Sequence, residues 1–125
     1  MRILDSVSKR ILVADDSPLM RKLLCRAFHQ HIYMEICAEA KDGAEAIRLA
    51  IEHKPDLVIL DFAMPVMSGV EAGKQIRKLY PDVPIILFTL HAPILRRADL
   101  PWATRVLDKE RVGQVVSIAE ELVAA

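Results

Sequence analysis

The sequence predicts an α/β fold in which a parallel sheet is covered by helices on both faces. Three observations support this prediction. Short aliphatic runs alternate with amphipathic helical segments along the chain. Residues 57–60 are aliphatic at every position, as in a strand that is covered on both sides. Helix-start residues follow the aliphatic runs, so strands lead into helices and the chain must cross over before the next strand begins.

Five segments have the composition of strands, and each is short and rich in aliphatic residues. They are residues 10–14, 35–39, 56–60, 84–90 and 105–107. Three helix starts are marked by a polar side chain that can accept N–H groups of the first turn. These are Ser17 before Pro18, Asp42 three residues before Glu45, and Ser68 three residues before Glu71.

The last part of the chain is less regular. An apolar stripe over residues 112–123 predicts a final helix. Residues 91–104 leave room for only one or two helical turns, because Pro93 and Pro101 interrupt them. We therefore expect a short or irregular fourth helix.

The composition fits one domain without a broad surface for nucleic acid. The chain has 125 residues, of which 53% are hydrophobic, and this is enough to bury a single core. Lys plus Arg number 17 and Asp plus Glu number 17, so the basic field of nonspecific nucleic-acid binding is missing. No apolar run reaches the roughly 18 residues of a spanning helix. We expect one soluble, cytoplasmic domain over residues 1–125, with its core at about 10–123, that binds neither nucleic acid nor membrane.

Polar side chains stand at the carboxyl ends of four predicted strands, where doubly wound sheets bind their ligands. Asp15 and Asp16 belong to the first strand end, Asp61 to the third, Thr89 to the fourth and Lys109 to the fifth. Three carboxylates at one rim repel each other unless a cation neutralises them, and Mg²⁺ prefers such oxygen ligands. A metal, an ammonium group and a hydroxyl around one carboxylate can stabilise a transferring phosphoryl group.

Taken singly, these residues have plainer interpretations. Asp15 and Asp16 would favour the start of a helix through its dipole. Thr89 alone would be a structural hydroxyl, and Lys109 alone a solvated charge. Only the joint pattern, with polar groups at different strand ends of one alternating chain, favours a site.

Four stretches resemble the receiver domain of bacterial two-component response regulators. They are VADDSPLMRKLL, LVILDFAMPVMSGVEAGKQIR, ILFT and the lysine after the fifth strand. The resemblance runs from about residue 10 to residue 123. It implies a flavodoxin-like, doubly wound, five-stranded parallel sheet of order 2-1-3-4-5. It also implies a phosphorelay protein rather than an enzyme, apart from self-catalysed phosphorylation and dephosphorylation.

The resemblance also implies roles for the candidate site residues. Asp61 would accept a phosphoryl group from a sensor histidine kinase or a histidine phosphotransfer protein. Asp16, Asp61 and the backbone carbonyl of Ala63 would bind Mg²⁺, and Asp15 would hold a metal-bound water. The phosphoryl oxygens would be bonded by Thr89 and paired with Lys109. The resulting change would alter the contact with a downstream protein target.

Departures from the family pattern lie in the second half of the chain. Glu110 replaces a frequent proline, which would loosen the positioning of Lys109. Val106 replaces an aromatic residue that turns inward on activation, and Leu90 replaces a small residue and would narrow access to the site. We hypothesise that phosphorylation still occurs and that output passes through a remodelled surface after the fourth strand.

That remodelled segment contains Arg96, Arg97 and the single tryptophan, Trp102. An exposed tryptophan among arginines would be an anchor for a partner protein. The alternative is that Trp102 folds over the sheet edge and covers apolar surface. The residues alone leave both interpretations open.

Three other functions are also open on the residues alone. A nonphosphorylated interaction module is compatible with Val106 and Leu90. A phosphohydrolase with an aspartyl nucleophile is usually marked by D-x-D after the first strand, where this chain has Asp15-Asp16-Ser17. Flavin binding would need a phosphate-cradling loop at the same place, where two aspartates would repel a phosphate.

Overall fold

The computed structural model describes residues 8–96 and 98–124, so Arg97 lies outside the described residues. The strands are β1 (Lys9–Ala14), β2 (Met34–Ala40), β3 (Leu57–Asp61), β4 (Ile85–Thr89) and β5 (Arg105–Asp108). They form one parallel sheet in the order β2-β1-β3-β4-β5. The predicted flavodoxin-like sheet order is confirmed.

The helices are α1 (Pro18–His29), α2 (Gly43–His53), α3 (Gly69–Leu79), α4 (Ala92–Leu95) and α5 (Val115–Val123). The three predicted helix starts are capped as expected: Ser17 Oγ accepts an N–H group at 3.2 Å, Asp42 Oδ1 at 2.8 Å and Ser68 Oγ at 3.2 Å. Over residues 8–96 and 98–124, no helix combines the length and apolarity that crossing a membrane requires.

The sheet separates two apolar cores, because alternate residues of each strand point to opposite faces. Ile11 and Val13 of β1 belong to a core that is closed by α1 and α5. Leu12 and Ala14 belong to the other core, which α2 and α3 close. The sheet is therefore covered on both faces, and its carboxyl ends are the place where polar side chains meet.

The ends of β2, β3, β4 and β5 each differ by one residue from the sequence prediction, and those of β3 and β4 involve site residues. β3 includes Asp61 as its last residue, because Asp61 still pairs with Phe88 of β4. β4 ends at Thr89 instead of residue 90, since the Thr89 hydroxyl accepts the N–H of His91 at 3.0 Å and the chain turns there. Both residues are thus fixed in the sheet itself.

The start of the last helix also differs. The 3₁₀ turn Lys109–Gln114 precedes α5, which begins at Val115 instead of residue 112. Asp108 Oδ1 accepts the N–H of Glu110 at 2.9 Å and so caps this turn. A proline at position 110 would have no N–H for this bond. Glu110 is therefore part of the local structure that fixes the backbone of Lys109.

The segment between β4 and β5 contains the short helix that the sequence predicts. Of the two interpretations of Trp102, the exposed partner anchor is wrong and the apolar cover is confirmed, because Trp102 is only 4% exposed. Its ring lies against Gly73 of α3, where a Cβ atom would collide with the indole. Trp102 therefore covers apolar surface, and the missing side chain at Gly73 makes the room for it.

Arg77 fixes the same segment through its guanidinium group. Its Nη2 donates to the carbonyl of Trp102 at 2.9 Å, and its Nη1 donates to the carbonyl of Val83 at 2.6 Å. A third contact joins Nη2 to Thr104 Oγ1 at 3.3 Å. The planar fork of donors thus connects the end of α3 with the residues before β5.

Replacing Trp102 by phenylalanine and by alanine tests this packing. The indole Nε1 is buried and has no hydrogen-bond partner among the described residues, and such an orphaned donor costs about 1–3 kcal/mol. Trp102→Phe removes the donor and keeps much of the ring, so we expect the free energy of unfolding to change by less than about 1 kcal/mol. Trp102→Ala leaves a cavity and should cost about 3–5 kcal/mol. Equal losses in urea unfolding would contradict this account.

Candidate functional site

Three carboxylates meet at the carboxyl end of the sheet. Asp15 follows β1 and Asp61 ends β3, and these adjacent strands are paired with Ala14 opposite Leu60. Asp15 and Asp61 are therefore neighbours across the strand pair. One carboxylate oxygen from each of them and one from the exposed Asp16 all lie within 4.8 Å of one another.

Asp15 is held from several directions and is only 1% exposed. Its Oδ1 accepts the N–H of Ser17 at 2.9 Å, and its Oδ2 lies 2.8 Å from Lys109 Nζ. Its backbone N–H donates to the carbonyl of Ala40 at 3.0 Å, and its carbonyl accepts from Arg21 at 2.6 Å. These contacts fix the carboxylate against the neighbouring strand.

Lys109 bridges two of the carboxylates. Its Nζ is 2.8 Å from Asp15 Oδ2 and 3.1 Å from Asp61 Oδ1. Burial lowers the pKa of Lys109, but the hydrogen bonds and charges of Asp15 and Asp61 outweigh it and raise the pKa above its ordinary value. Lys109 therefore stays charged at neutral pH and neutralises part of the acidic cluster.

The negative charge of Asp61 is only partly compensated by Lys109. Burial, followed by the charge of Asp15, raises the pKa of Asp61 to about 6, although Lys109 acts in the opposite direction. The side chain of Asp61 is 8% exposed, so water screens these charges poorly. The geometry thus favours an additional cation at this carboxylate.

Thr89 and Ala63 complete the set of predicted site residues. Thr89 is the last residue of β4 and is 1% exposed. Its Oγ1 accepts the N–H of His91 at 3.0 Å, so the hydroxyl proton is free to point elsewhere. Ala63 is exposed in the loop that follows Asp61. The structure thus brings the three aspartates together, with Lys109 in contact with two of them. Thr89 lies at the end of β4, the strand next to β3.

The loop after Asp61 is anchored at two points. The N–H of Gly69 donates to the carbonyl of Phe62 at 2.9 Å, and the N–H of Gly43 donates to the carbonyl of Met67 at 3.0 Å. At Gly69 a Cβ atom would collide with the carbonyl oxygen of Asp61. Only glycine allows this close approach, so Gly69 helps to fix the backbone of Asp61.

The chemistry of the acidic cluster fits a hard divalent cation. Oxygens bound to one Mg²⁺ at its usual bond length lie roughly 3–4 Å apart, and the three carboxylate oxygens here lie within 4.8 Å of one another. Asp16 is exposed, which leaves its oxygens open to an ion from solvent. Both oxygens of Asp15 already accept protein donors. The donor set is therefore all oxygen and partly open.

Two features of the site were not anticipated from the sequence. Arg21 donates to the carbonyl of Asp15 and also lies 3.3 Å from Glu39. Its position one turn after the Ser17 cap was the only indication of this role. Phe62 and His91 form an edge-to-face pair with ring centroids 6.2 Å apart, and nothing in their spacing predicts that contact.

Comparisons with known proteins place this chain and its fold in one family. Residues 11–114 match the model of the response regulator receiver domain. A protein-glutamate methylesterase/protein-glutamine glutaminase of Pyrococcus abyssi is 45% identical over 80 residues, which are 64% of this chain and 22% of that protein.

Two solved structures from Thermotoga maritima have a backbone fold similar to that of this chain. The response regulator domain of CheB is 29% identical, with a TM-score of 0.84 over 94% of this chain and 98% of that one. The response regulator TrrA, solved in complex with Mg(2+)-BeF, is 34% identical, with a TM-score of 0.82 over 91% of this chain and 98% of that one.

The chain belongs to the response regulator receiver domain family, a regulatory component of two-component signalling. The resemblance stated from the sequence is confirmed. The chain spans only about a fifth of the methylesterase relative.

Asp61→Asn should stabilise the metal-free protein at neutral pH. The pKa of Asp61 in the folded chain is about 6, above its ordinary value of 3.8. Folding therefore favours the protonated form, and stability falls as the pH rises from about 4 to about 6. At pH 7.5 in EDTA we expect Asp61→Asn to gain about 3 kcal/mol in the free energy of unfolding measured in urea, with almost no gain at pH 3.5.

The exposed carboxylate Asp82 provides a control. Asp82→Asn should leave the free energy of unfolding nearly unchanged at both pH values. If Asp61→Asn destabilises the metal-free protein at pH 7.5, then Asp61 is already well compensated and the electrostatic account of the site is wrong.

Proposed function

We propose that this chain is a phosphorylation switch in which Asp61 accepts a phosphoryl group from a phosphohistidine. The observation that carries the proposal is one buried carboxylate, Asp61, which lies 3.1 Å from the Lys109 ammonium and within 4.8 Å of oxygens from two further carboxylates. The donor is a sensor histidine kinase or a histidine phosphotransfer protein, as in two-component signalling.

Mg²⁺ is the proposed cofactor. Asp16 and Asp61 would bind it directly together with the backbone carbonyl of Ala63, and Asp15 would hold a metal-bound water. The exposure of Asp16 supports its role as a direct ligand, and the engaged oxygens of Asp15 support an indirect role. When bound, Mg²⁺ neutralises the carboxylates and the charge on the phosphoryl oxygens.

The transfer step uses the Asp61 carboxylate as the nucleophile. An Asp61 oxygen attacks phosphorus, so that an O–P bond forms while the N–P bond of the phosphohistidine breaks. The imidazole nitrogen leaves with the electron pair and takes up a proton. Lys109, 3.1 Å from Asp61 Oδ1, would pair with the phosphoryl oxygens, and the Thr89 hydroxyl would donate to one of them. Attack by water later breaks the P–O bond and returns the carboxylate and inorganic phosphate.

The output would be a change in a protein-binding surface after β4. Thr89 would follow the phosphoryl group, and the loop that begins at Leu90 would follow Thr89. Leu90 and Ile94 are 64% and 72% exposed, so this loop offers apolar side chains to a partner. The proposed target is a downstream protein. We propose no contact of this domain with nucleic acid, because its acidic and basic residues are equal in number.

Intact mass after incubation with acetyl phosphate tests the proposal. Wild type and Asp82→Asn should each gain one phosphoryl group with Mg²⁺ and none in EDTA. Asp61→Asn should gain none in either condition, because its amide is not a nucleophile of this kind.

A phosphoryl gain that survives in Asp61→Asn would place the acceptor elsewhere and overturn the assignment. A gain in wild type that is the same with Mg²⁺ and in EDTA would overturn the role of the metal. No gain, together with no Mg²⁺ binding, would favour a nonphosphorylated interaction module.

A further inference from the structure

Two aromatic side chains span the rim of the site between the loops after β3 and β4. Phe62 comes directly after Asp61, and His91 is the second residue after Thr89. Their ring centroids are 6.2 Å apart and their planes are inclined by 72°. This is the edge-to-face arrangement in which aromatic rings attract each other.

Each ring is joined to a site residue by a short path. The backbone N–H of His91 donates to Thr89 Oγ1 at 3.0 Å. The carbonyl of Phe62 accepts the N–H of Gly69 at 2.9 Å, which ties Phe62 to the start of α3. Any movement of the Thr89 hydroxyl must therefore carry His91 with it or break their hydrogen bond, while Phe62 stays in place.

Many receiver domains carry, at the position of Val106, an aromatic residue that turns inward on activation, but this chain has an aliphatic residue there. Val106 of β5 is half-buried and aliphatic, and its carbonyl accepts from Arg96 Nε at 3.2 Å. The residues nearer to β5 are fixed by the buried Trp102 and by Arg77. In the segment between β4 and β5, the residues closest to Thr89 are therefore the ones that can move when Thr89 moves.

We propose that the Phe62–His91 contact holds the loop after β4 in its unphosphorylated arrangement, a role for which Val106 offers no aromatic ring. This inference rests on the proposed function. When the Thr89 hydroxyl turns toward the phosphoryl oxygens, His91 follows and its ring leaves Phe62. The exposed side chains of Leu90 and Ile94 then change position, and with them the surface that the partner contacts. Because a ligand shifts an equilibrium by its differential affinity, weakening this contact makes the activated arrangement easier to reach.

Binding of Mg²⁺ and beryllofluoride, followed by amide chemical shifts, measures this equilibrium. His91→Ala and Phe62→Leu should each lower the half-saturating beryllofluoride concentration by about two- to tenfold, the range that an aromatic pair supports. Without the ligand, the amide shifts of residues 90–96 in both variants should move toward their wild-type bound positions.

Three further variants separate the contact from general damage to the loop. His91→Phe keeps an aromatic ring and should stay near wild type. Asp99→Asn changes an exposed side chain in the same segment between β4 and β5 and should also stay near wild type. The double variant of His91→Ala and Phe62→Leu should match the stronger single variant, since both changes remove one shared contact.

Either of two results would overturn the inference. One is an unchanged half-saturating concentration in both His91→Ala and Phe62→Leu, and the other is an increase in both. Failure of the proposed function looks different, because wild type would then neither bind beryllofluoride nor gain a phosphoryl group from acetyl phosphate. If wild type binds beryllofluoride and the variants bind it equally well, only the inference about the aromatic contact is refuted, and the proposed function stands.

Discussion

The repulsion among three carboxylates at one end of the sheet is the constraint on which the rest of the site depends. Asp15 and Asp61 are brought together because β1 and β3 are adjacent and in register. Lys109 follows β5, yet its ammonium reaches both carboxylates because the long side chain extends past the end of β4. Burial of Asp61, followed by the charge of Asp15, raises the pKa of Asp61 to about 6, and the single Lys109 cation does not offset both. The site therefore favours a second cation and, with it, an anionic phosphoryl group.

The surrounding loops hold this charged cluster by backbone contacts. Gly69 admits the carbonyl of Asp61 at a distance that no side chain would allow, and Gly43 holds the same loop through Met67. On the other side, the segment after β4 is fixed near β5 by Trp102 and Arg77, and it contacts the site through Thr89. A buried carboxylate beside a segment that is anchored at its β5 end is compatible with the proposed phosphorylation switch.

Most of the fold and the main site residues could be predicted because they depend on local patterns. Alternation of aliphatic runs with capped helices determines a parallel sheet, and the carboxyl ends of its strands gather Asp15, Asp61 and Lys109. Contacts between distant residues could not be predicted in the same way. The burial of Trp102 depends on the absence of a side chain at Gly73, on another helix. Likewise, the acceptors of Arg77 are carbonyls of an irregular segment, whose path no periodicity specifies.

Calorimetric titration with Mg²⁺ tests the central claim most directly, namely that the clustered carboxylates form one cation site. Wild type should bind one Mg²⁺, and Asp16→Asn and Asp61→Asn should each bind it at least about tenfold more weakly, because each loses a charged ligand. Asp82→Asn, which changes an exposed carboxylate elsewhere, should bind like wild type. Undiminished Mg²⁺ binding by both Asp16→Asn and Asp61→Asn would contradict the account.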